Sequence, residues 1–254
     1  MATRGKIIVV GGKGGVGKTS VSAILVKLLL ENGRKLLVID ADPVISVAYA
    51  LGERPGTTIG EFRESLIEDP GTQRNLRDRP VKAAIRDLVT GSERGYDLLA
   101  MGRAEGKGCF CGLNDLLRFG IESLCGEYDT TLIDCEAGIE QVNRRAVHRI
   151  DTLLLVTDTS RRGMETVVKV REIAAGCDED GSMTAHVLVN RTRDKEDRIR
   201  ADSVEKEFAL HLIGCIPEDP GLLEYNAKGQ PLIDLPDDSP SVVALRDVVA
   251  RLGL

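Results

Sequence analysis

Eight residues constrain this chain more than any others. Gly12-Lys13-Gly14-Gly15-Val16-Gly17-Lys18-Thr19 follows a short apolar run at Lys6 to Val10 and leads into a segment where Val21, Ile24, Leu25, Leu28 and Leu29 recur at three and four residues. The run reads as a strand and the segment as an amphipathic helix, ended by Gly33 at the position after its cap. Between them the residues satisfy G-x-x-x-x-G-K-[ST]. Glycines let the backbone wrap closely around phosphate, and the loop N–H groups and helix N-terminus supply positive potential. Lys18 is expected to reach the β/γ-phosphates and Thr19 to ligate Mg²⁺, with Ser20 continuing the contact. The competing reading, a glycine-rich turn capped by Thr19, explains neither flank.

Further apolar runs recur at Lys35 to Ile39, Asp97 to Ala100, Thr130 to Asp134, Thr152 to Val156, Ala185 to Asn190 and Leu212 to Ile216. Helical spacings alternate with them. This pattern predicts an α/β fold of three layers, a mainly parallel twisted sheet with helices on both faces and ligands at the strands' carboxyl ends. A chain of 254 residues buries roughly 70–75% of its unfolded surface, enough for one core, so residues 1–254 are read as one domain. Residues 53–95, richer in charge, Pro and Gly, are expected to form a short helical insertion. The last helix is expected to start with Ser239 as N-cap and Pro240 at its first position, and to bury Val242, Leu245, Val249 and Leu252.

A formal charge of -6 counts against binding to a nucleic-acid backbone, which takes clustered Lys and Arg. No apolar run is long enough to span a membrane, and Met1 to Gly5 leads into a strand and not a secretory signal. The expectation is a cytoplasmic protein without nucleic-acid or membrane partners. Six cysteines are too few for a disulfide scaffold and suit reduced thiols.

Two strand ends carry carboxylates. Asp40-Ala41-Asp42-Pro43 follows the second run, and Asp134-Cys135-Glu136-Ala137-Gly138 follows the fourth. The second lysine of the loop, Lys13, gives these segments a context: Lys13-Gly14-Gly15-Val16-Gly17-Lys18-Thr19 resembles the deviant phosphate loop of the MinD/ParA/nitrogenase-iron-protein class. The resemblance implies an ATPase that works as a homodimer. Lys13 would reach the partner's nucleotide and stabilise charge developing on the transferring phosphoryl group. It also implies Asp40 and Asp134 as direct or outer-shell partners of Mg²⁺, Asp42 as the group orienting the attacking water, and Gly138 as a neighbour of the γ-phosphate. A turn or capping role is the alternative for Asp42. Val44 and Ile45 depart from the small polar residues many relatives carry there.

For the base, Asn190-Arg191 and Pro217-Glu218 resemble the adenine-side contacts of the class, with a plain strand-end turn as the alternative for Asn190. Arg193 stands where a guanine-reading carboxylate would be expected, which favours ATP over GTP.

Gly108-Cys109-Phe110-Cys111-Gly112 precedes a segment with Leu113, Leu116, Leu117, Ile121 and Leu124 at helical spacing. A helix N-terminus favours thiolate, the metal-binding form. Two such thiols supply half of a tetrahedral zinc or nickel site, which a two-fold copy would complete. Two structural cysteines are the alternative. Together with Lys13, Met101-Gly102 and Gly138-Ile139-Glu140, the pair resembles the CooC-type nickel-insertion ATPases over essentially the whole chain. That resemblance implies bound Ni²⁺ or Zn²⁺ at Cys109 and Cys111, and a client nickel enzyme, carbon monoxide dehydrogenase or acetyl-CoA synthase. Two rivals stay open. One is a MinD/ParA-type positioning or partition ATPase. The other is an iron–sulfur reductase resembling the nitrogenase iron protein, for which Cys135 is the available thiol. Cys125, Cys177 and Cys215 read as packing. His148, His186 and His211 read as isolated, and the alternating charges from Arg191 to Glu207 as a solvated helix face.

Overall fold

A computed structural model describes residues 5–72, 79–103, 111–136, 149–176, 178 and 181–254, with the backbone alone at Cys111, Gly112, Asn114, Val204 and Glu205. In chain order these residues form β1 (Lys6–Gly12), α1 (Lys18–Glu31), β2 (Leu36–Ala41), α2 (Ser46–Ala50), α3 (Ile59–Glu68), α4 (Val81–Arg86), β3 (Thr90–Gly91), β4 (Tyr96–Ala100) and α5 (Cys111–Leu124). The second half holds β5 (Thr130–Cys135), β6 (Thr152–Thr157), α6 (Arg161–Ala175), β7 (Thr184–Thr192), α7 (Lys195–Asp202), α8 (Val204–Phe208), β8 (Leu212–Pro217), α9 (Pro220–Lys228) and α10 (Pro240–Arg251).

The strands make one eight-stranded sheet in the order β3-β4-β2-β5-β1-β6-β7-β8. All neighbours are parallel except β3, which runs antiparallel to β4. All seven expected strands are present. The eighth, β3, is two residues long, too short to leave a period in the sequence. Because β2 lies on one side of β1 and β6 on the other, the chain reverses direction across the sheet at β1. The phosphate loop therefore opens into the crevice where α/β sheets bind ligands.

Alternation along the strands sends side chains to two cores. Ile8, Val10, Leu36, Val38, Leu132, Leu154 and Val156 meet α1 and α10 on one face. On the other, Ile7, Val9, Leu37, Ile39, Ile133, Leu153 and Leu155 meet α3, α4, α5 and α6. The predicted apolar face of α1 is wholly buried, and Gly33 sits beyond its end at φ 67°. α10 packs through Val242, Leu245 and Val249, each worth roughly 1.5–3 kcal/mol when buried. Its expected cap differs. Ser239 holds the N-cap position, but its side-chain oxygen accepts no helix N–H; the hydroxyl donates to Asp219, which takes the Ser241 N–H in its place. A buried carboxylate is the stronger acceptor. Asp219 also accepts from Leu222 N at 3.1 Å and Ser241 N at 3.1 Å, so one side chain joins the starts of α9 and α10. Among the described residues, no helix is long and apolar enough to cross a membrane.

Candidate nucleotide site

Sheet geometry puts the phosphate loop between two walls. Gly12 has φ 133°, and a Cβ there would stand 2.1 Å from the Val156 carbonyl of β6. Gly17 begins α1 at φ 91°, and its Cβ would meet the Asn190 amide at 2.7 Å. Both positions need glycine for conformation and for space. Lys18 is buried and donates to the Lys13 carbonyl at 3.1 Å. Burial lowers its pKa, and the nearby Asp134 opposes that shift.

On the β2/β5 wall, Asp40 and Asp134 are register partners on adjacent parallel strands and both are buried. Asp134 accepts from Ser22 Oγ at 2.6 Å and Thr19 Oγ1 at 3.0 Å. Asp40 accepts from Ala48 N at 3.0 Å and Asp42 N at 3.2 Å. Burial pushes the Asp40 carboxyl up to about 7, with the Asp134 charge adding to it and the two backbone donors opposing it. Asp134 is pushed up to about 6, again chiefly by burial, against the bonds from Ser22 and Thr19. Two buried acids side by side with a hydroxyl at the loop are hard oxygen donors short of positive charge, which fits Mg²⁺. Among the described residues no group of three or more His, Cys, Asp or Glu side chains is arranged to hold a metal. Two carboxylates and a hydroxyl suit an ion that keeps its waters and leans on phosphate oxygens.

Asp42 is half-buried and closes the turn into α2. Its Oδ1 accepts from Val44 N at 2.9 Å and its Oδ2 from Ser46 Oγ at 2.8 Å. The capping alternative describes these contacts. The next two residues supply no polar group: Val44 is 70% exposed and Ile45 adopts φ 55°.

The β7/β8 wall is built from side chains. Asn190 Nδ2 donates to the Val16 carbonyl at 2.7 Å, and Arg191 Nη1 to the Gly15 carbonyl at 3.2 Å. Their strand runs two residues further than expected, to Thr192, with a register shift between Val189 and Thr192 and Arg191 at φ 60°. That irregularity turns the Arg191 side chain back over the loop. Beside it lies a cleft of about 720 Å³, its mouth included, lined by Gly17, Ser20, Asn190, Arg191, Pro217 and Glu218. Val21, Ile24, Leu222 and Leu245 make its floor and side apolar, which suits a planar base. The four residues expected at the base thus share one cleft with the phosphate loop.

Some residues have partners that were not expected. Lys13 Nζ pairs with Asp158 Oδ2 at 2.7 Å and lies 3.4 Å from Ser160 Oγ. Asp158 was not foreseen, although it follows a strand at the carboxyl edge, where that position alone is a signal. Ser22, one helical turn after Thr19, was missed in the same way. Arg193 bonds Asp197 at 3.0 Å and does not stand free beside the base. Asp197 departs from the solvated face foreseen around it. It is 1% exposed, accepts also from Thr159 Oγ1 at 3.1 Å, and is held at about 2 chiefly by the Arg193 hydrogen bond. His186 and His211, read as isolated, lie side by side, Nδ1 to Nδ1 at 2.7 Å. Cys135 points into the core at 2% exposure with its thiol pushed up to about 12 by burial. Cys109, Gly138 to Glu140, His148 and Cys177 lie outside the described residues. Cys111 is described only as the first residue of α5.

Comparison with known proteins agrees with this geometry. Residues 7–232 match the family described as the CobQ/CobB/MinD/ParA nucleotide binding domain. The chain belongs to that family. It is 33% identical over 252 residues to an uncharacterized ATP-binding protein of Methanocaldococcus jannaschii, covering 97% of this chain and 98% of that one. It is 29% identical to the carbon monoxide dehydrogenase accessory protein CooC of Rhodospirillum rubrum, covering 90% of this chain and 89% of the relative. The MinC:MinD cell division protein complex of Aquifex aeolicus superposes with a TM-score of 0.73 at 25% identity, covering 98% of this chain and 95% of that chain. The three-layer sheet is the MinD/ParA fold, and the chain is a phosphate-loop ATPase of the MinD/ParA family.

Proposed function

We propose that this ATPase works as a homodimeric metallochaperone in the cytoplasm, inserting nickel into a client metalloenzyme such as carbon monoxide dehydrogenase or acetyl-CoA synthase. The single observation that carries the reading is the phosphate loop with two lysines in different roles. Lys18 is buried under the loop, whereas the side chain of Lys13 leaves it for an ion pair at its edge. A lysine held that loosely is available to a second copy's nucleotide. In this scheme ATP and Mg²⁺ occupy the crevice, with Thr19, Asp40 and Asp134 holding the ion directly or through water. Lys13 exchanges Asp158 for the partner's phosphate, and Asp42 leaves its turn to orient the attacking water. Asn190, Arg191, Pro217 and Glu218 receive adenine. Closure brings together the Cys109 and Cys111 thiols of two chains, which carry Ni²⁺ or Zn²⁺ as cargo, and hydrolysis reopens the dimer. The nucleotide drives metal binding or release only through its different affinity for closed and open forms.

Similarity to CooC supports the cargo, and the Cys109-Phe110-Cys111 spacing in the sequence supports where it would sit. Likeness to MinD supports the second reading, a positioning or partition ATPase. The chain's final helix, α10, buries its apolar face on α1. Burial of Cys135 disfavours the iron–sulfur reductase. Anaerobic purification followed by Ni²⁺ and Zn²⁺ titration with and without ATP tests the proposal. One thiolate-bound metal per dimer is expected, read by its thiolate-to-Ni²⁺ charge-transfer absorption and lost in Cys109→Ser and Cys111→Ser while ATP binding survives. Unchanged metal binding in both variants overturns the metallochaperone reading.

A further inference from the structure

The histidine pair lies far along the sheet from the nucleotide. His186 is the third residue of β7, at the strand's amino end, while Asn190 stands toward its carboxyl end. His211 immediately precedes β8, and pairing of Val187 with Leu212 sets the two histidines at neighbouring positions on parallel strands. His211 O accepts from Val187 N at 2.7 Å, which fixes this register. The two rings meet edge to face with centroids 5.0 Å apart and Nδ1 atoms 2.7 Å apart. His211 is exposed and His186 half-buried, so the pair opens to solvent.

We propose that His186 and His211 form a second metal site, a two-imidazole chelate for a borderline divalent cation such as Zn²⁺ or Ni²⁺, with solvent completing the coordination. Two nitrogens can approach to 2.7 Å only with a hydrogen between them, so one ring donates from Nδ1 and the other accepts there. A metal ion takes the place of that hydrogen. With metal–nitrogen bonds of about 2.0–2.1 Å, tetrahedral geometry sets the two nitrogens about 3.3 Å apart. The rings therefore need to part by well under 1 Å, a small rotation for one exposed side chain. The donating ring moves its proton to the other nitrogen, so chelation requires no change in total charge on the pair. Imidazole nitrogen is a good ligand for zinc and nickel, and only its neutral form binds.

The groups facing the pair favour that neutral form. Burial holds the His186 pKa below its usual value, and His211 and the Lys6 ammonium of β1 add to the effect. Lys6 is itself turned toward α10, donating to the Leu252 carbonyl at 3.0 Å. Its charge weakens attraction for a cation, which makes this a site of modest affinity. The site is independent of the cysteine pair and of the metallochaperone reading, and each is tested by its own variant.

The test is calorimetric titration of tag-free, chelator-stripped full-length protein with ZnCl₂ and with NiSO₄ at pH 7.5. The Cys109→Ser/Cys111→Ser background removes those two thiols. One equivalent per chain is expected, weakened by more than an order of magnitude in His186→Gln and in His211→Ala. ATP affinity is expected to be unchanged in both variants, which also shows that they fold. Equal metal binding in the double histidine variant overturns the proposal, as does a parent chain that binds neither cation.

Discussion

The two walls of the nucleotide crevice are built on different principles. On the β2/β5 side the functional groups are carboxylates at strand ends, placed by backbone register and buried as the sheet forms. Facing them across the loop, on the β7/β8 side, Asn190 and Arg191 reach back and donate to the loop carbonyls of Val16 and Gly15. The first wall stores unfavourable charge, since Asp40 and Asp134 are held protonated to unusually high pH. The second spends side-chain freedom on ordinary hydrogen bonds. On the proposed reading this difference implies a division of labour, with the β2/β5 wall acting on phosphate and the β7/β8 wall on how well nucleotide binds.

Lys13 belongs to neither wall, and removing it has the largest expected effect. If it supplies charge across a dimer, Lys13→Ala lowers the maximal turnover by about 10³-fold or more, the magnitude of a cation supplied in trans. Its ion pair is a third exposed on both sides, so folding stability changes by less than about 1 kcal/mol. Steady-state turnover alongside nucleotide binding tests this, and turnover close to that of the parent removes Lys13 from the mechanism.

A smaller effect separates the walls themselves. Asp134→Asn keeps an acceptor for only one of Ser22 and Thr19, which donate to different carboxylate oxygens, and removes the charge; it is expected to lower Mg²⁺-dependent turnover on the order of 10²-fold. Asn190→Ala removes one buried hydrogen bond, worth about 0.5–1.5 kcal/mol. It is expected to weaken ADP binding severalfold while leaving turnover at saturating ATP nearly intact. Equal loss of turnover in the two variants would erase the distinction between the walls.

The walls also differ in how legible they were. Asp40, Asp134, Lys18 and Thr19 could be read from the chain because each follows a short apolar run at fixed spacing, and strand ends in a parallel sheet converge. The fold was legible for the same reason, except for β3, whose two residues make no pattern. Asp158 was not recognised because its partner Lys13 is distant in sequence and meets it only after β1 and β6 pair, and the burial of Asp197 was missed because Thr159 reaches it only after β6 and β7 pair, although Arg193 is local. His186 and His211 could be paired only by knowing the register of β7 on β8, which shifts twice. Ser239 was placed correctly in the helix and wrongly in its bond, because local propensity cannot anticipate a buried acid from another loop.

Charge stored in the carboxylate wall gives a further expectation. Asp40 and Asp134 hold protons to about 7 and about 6 in the folded chain, whereas an unfolded aspartate titrates near 3.9. The folded state therefore binds more protons between about pH 4 and 7, and the metal-free protein loses stability as pH rises through that window. His186, with its lowered pKa, contributes the opposite slope. The useful measurement is thus the difference between the parent and Asp40→Asn in EDTA. The parent is expected to lose several degrees of melting temperature relative to the variant between pH 5 and pH 7.5. Parallel pH profiles would mean that the Asp40 carboxylate is not destabilising.

The smallest effect concerns the contact that holds Lys13 at home. Asp158 also accepts from Ser160, and Ser160 caps α6 through Gly163 N at 3.1 Å, so the acid is fixed by the helix start whether or not Lys13 is present. An ion pair this exposed contributes about 0.2–1 kcal/mol. Releasing it in Asp158→Asn raises the fraction of chains with a free Lys13 by at most about fivefold. The gain should appear as faster turnover at protein concentrations too low for full dimerisation, and should vanish at high concentration. A gain that persists there would mean that Asp158 acts on the chemistry and not on the availability of Lys13. A loss of turnover would mean that Asp158 positions the lysine for the partner's nucleotide, in which case the pair is part of the closed state and not a contact to be exchanged.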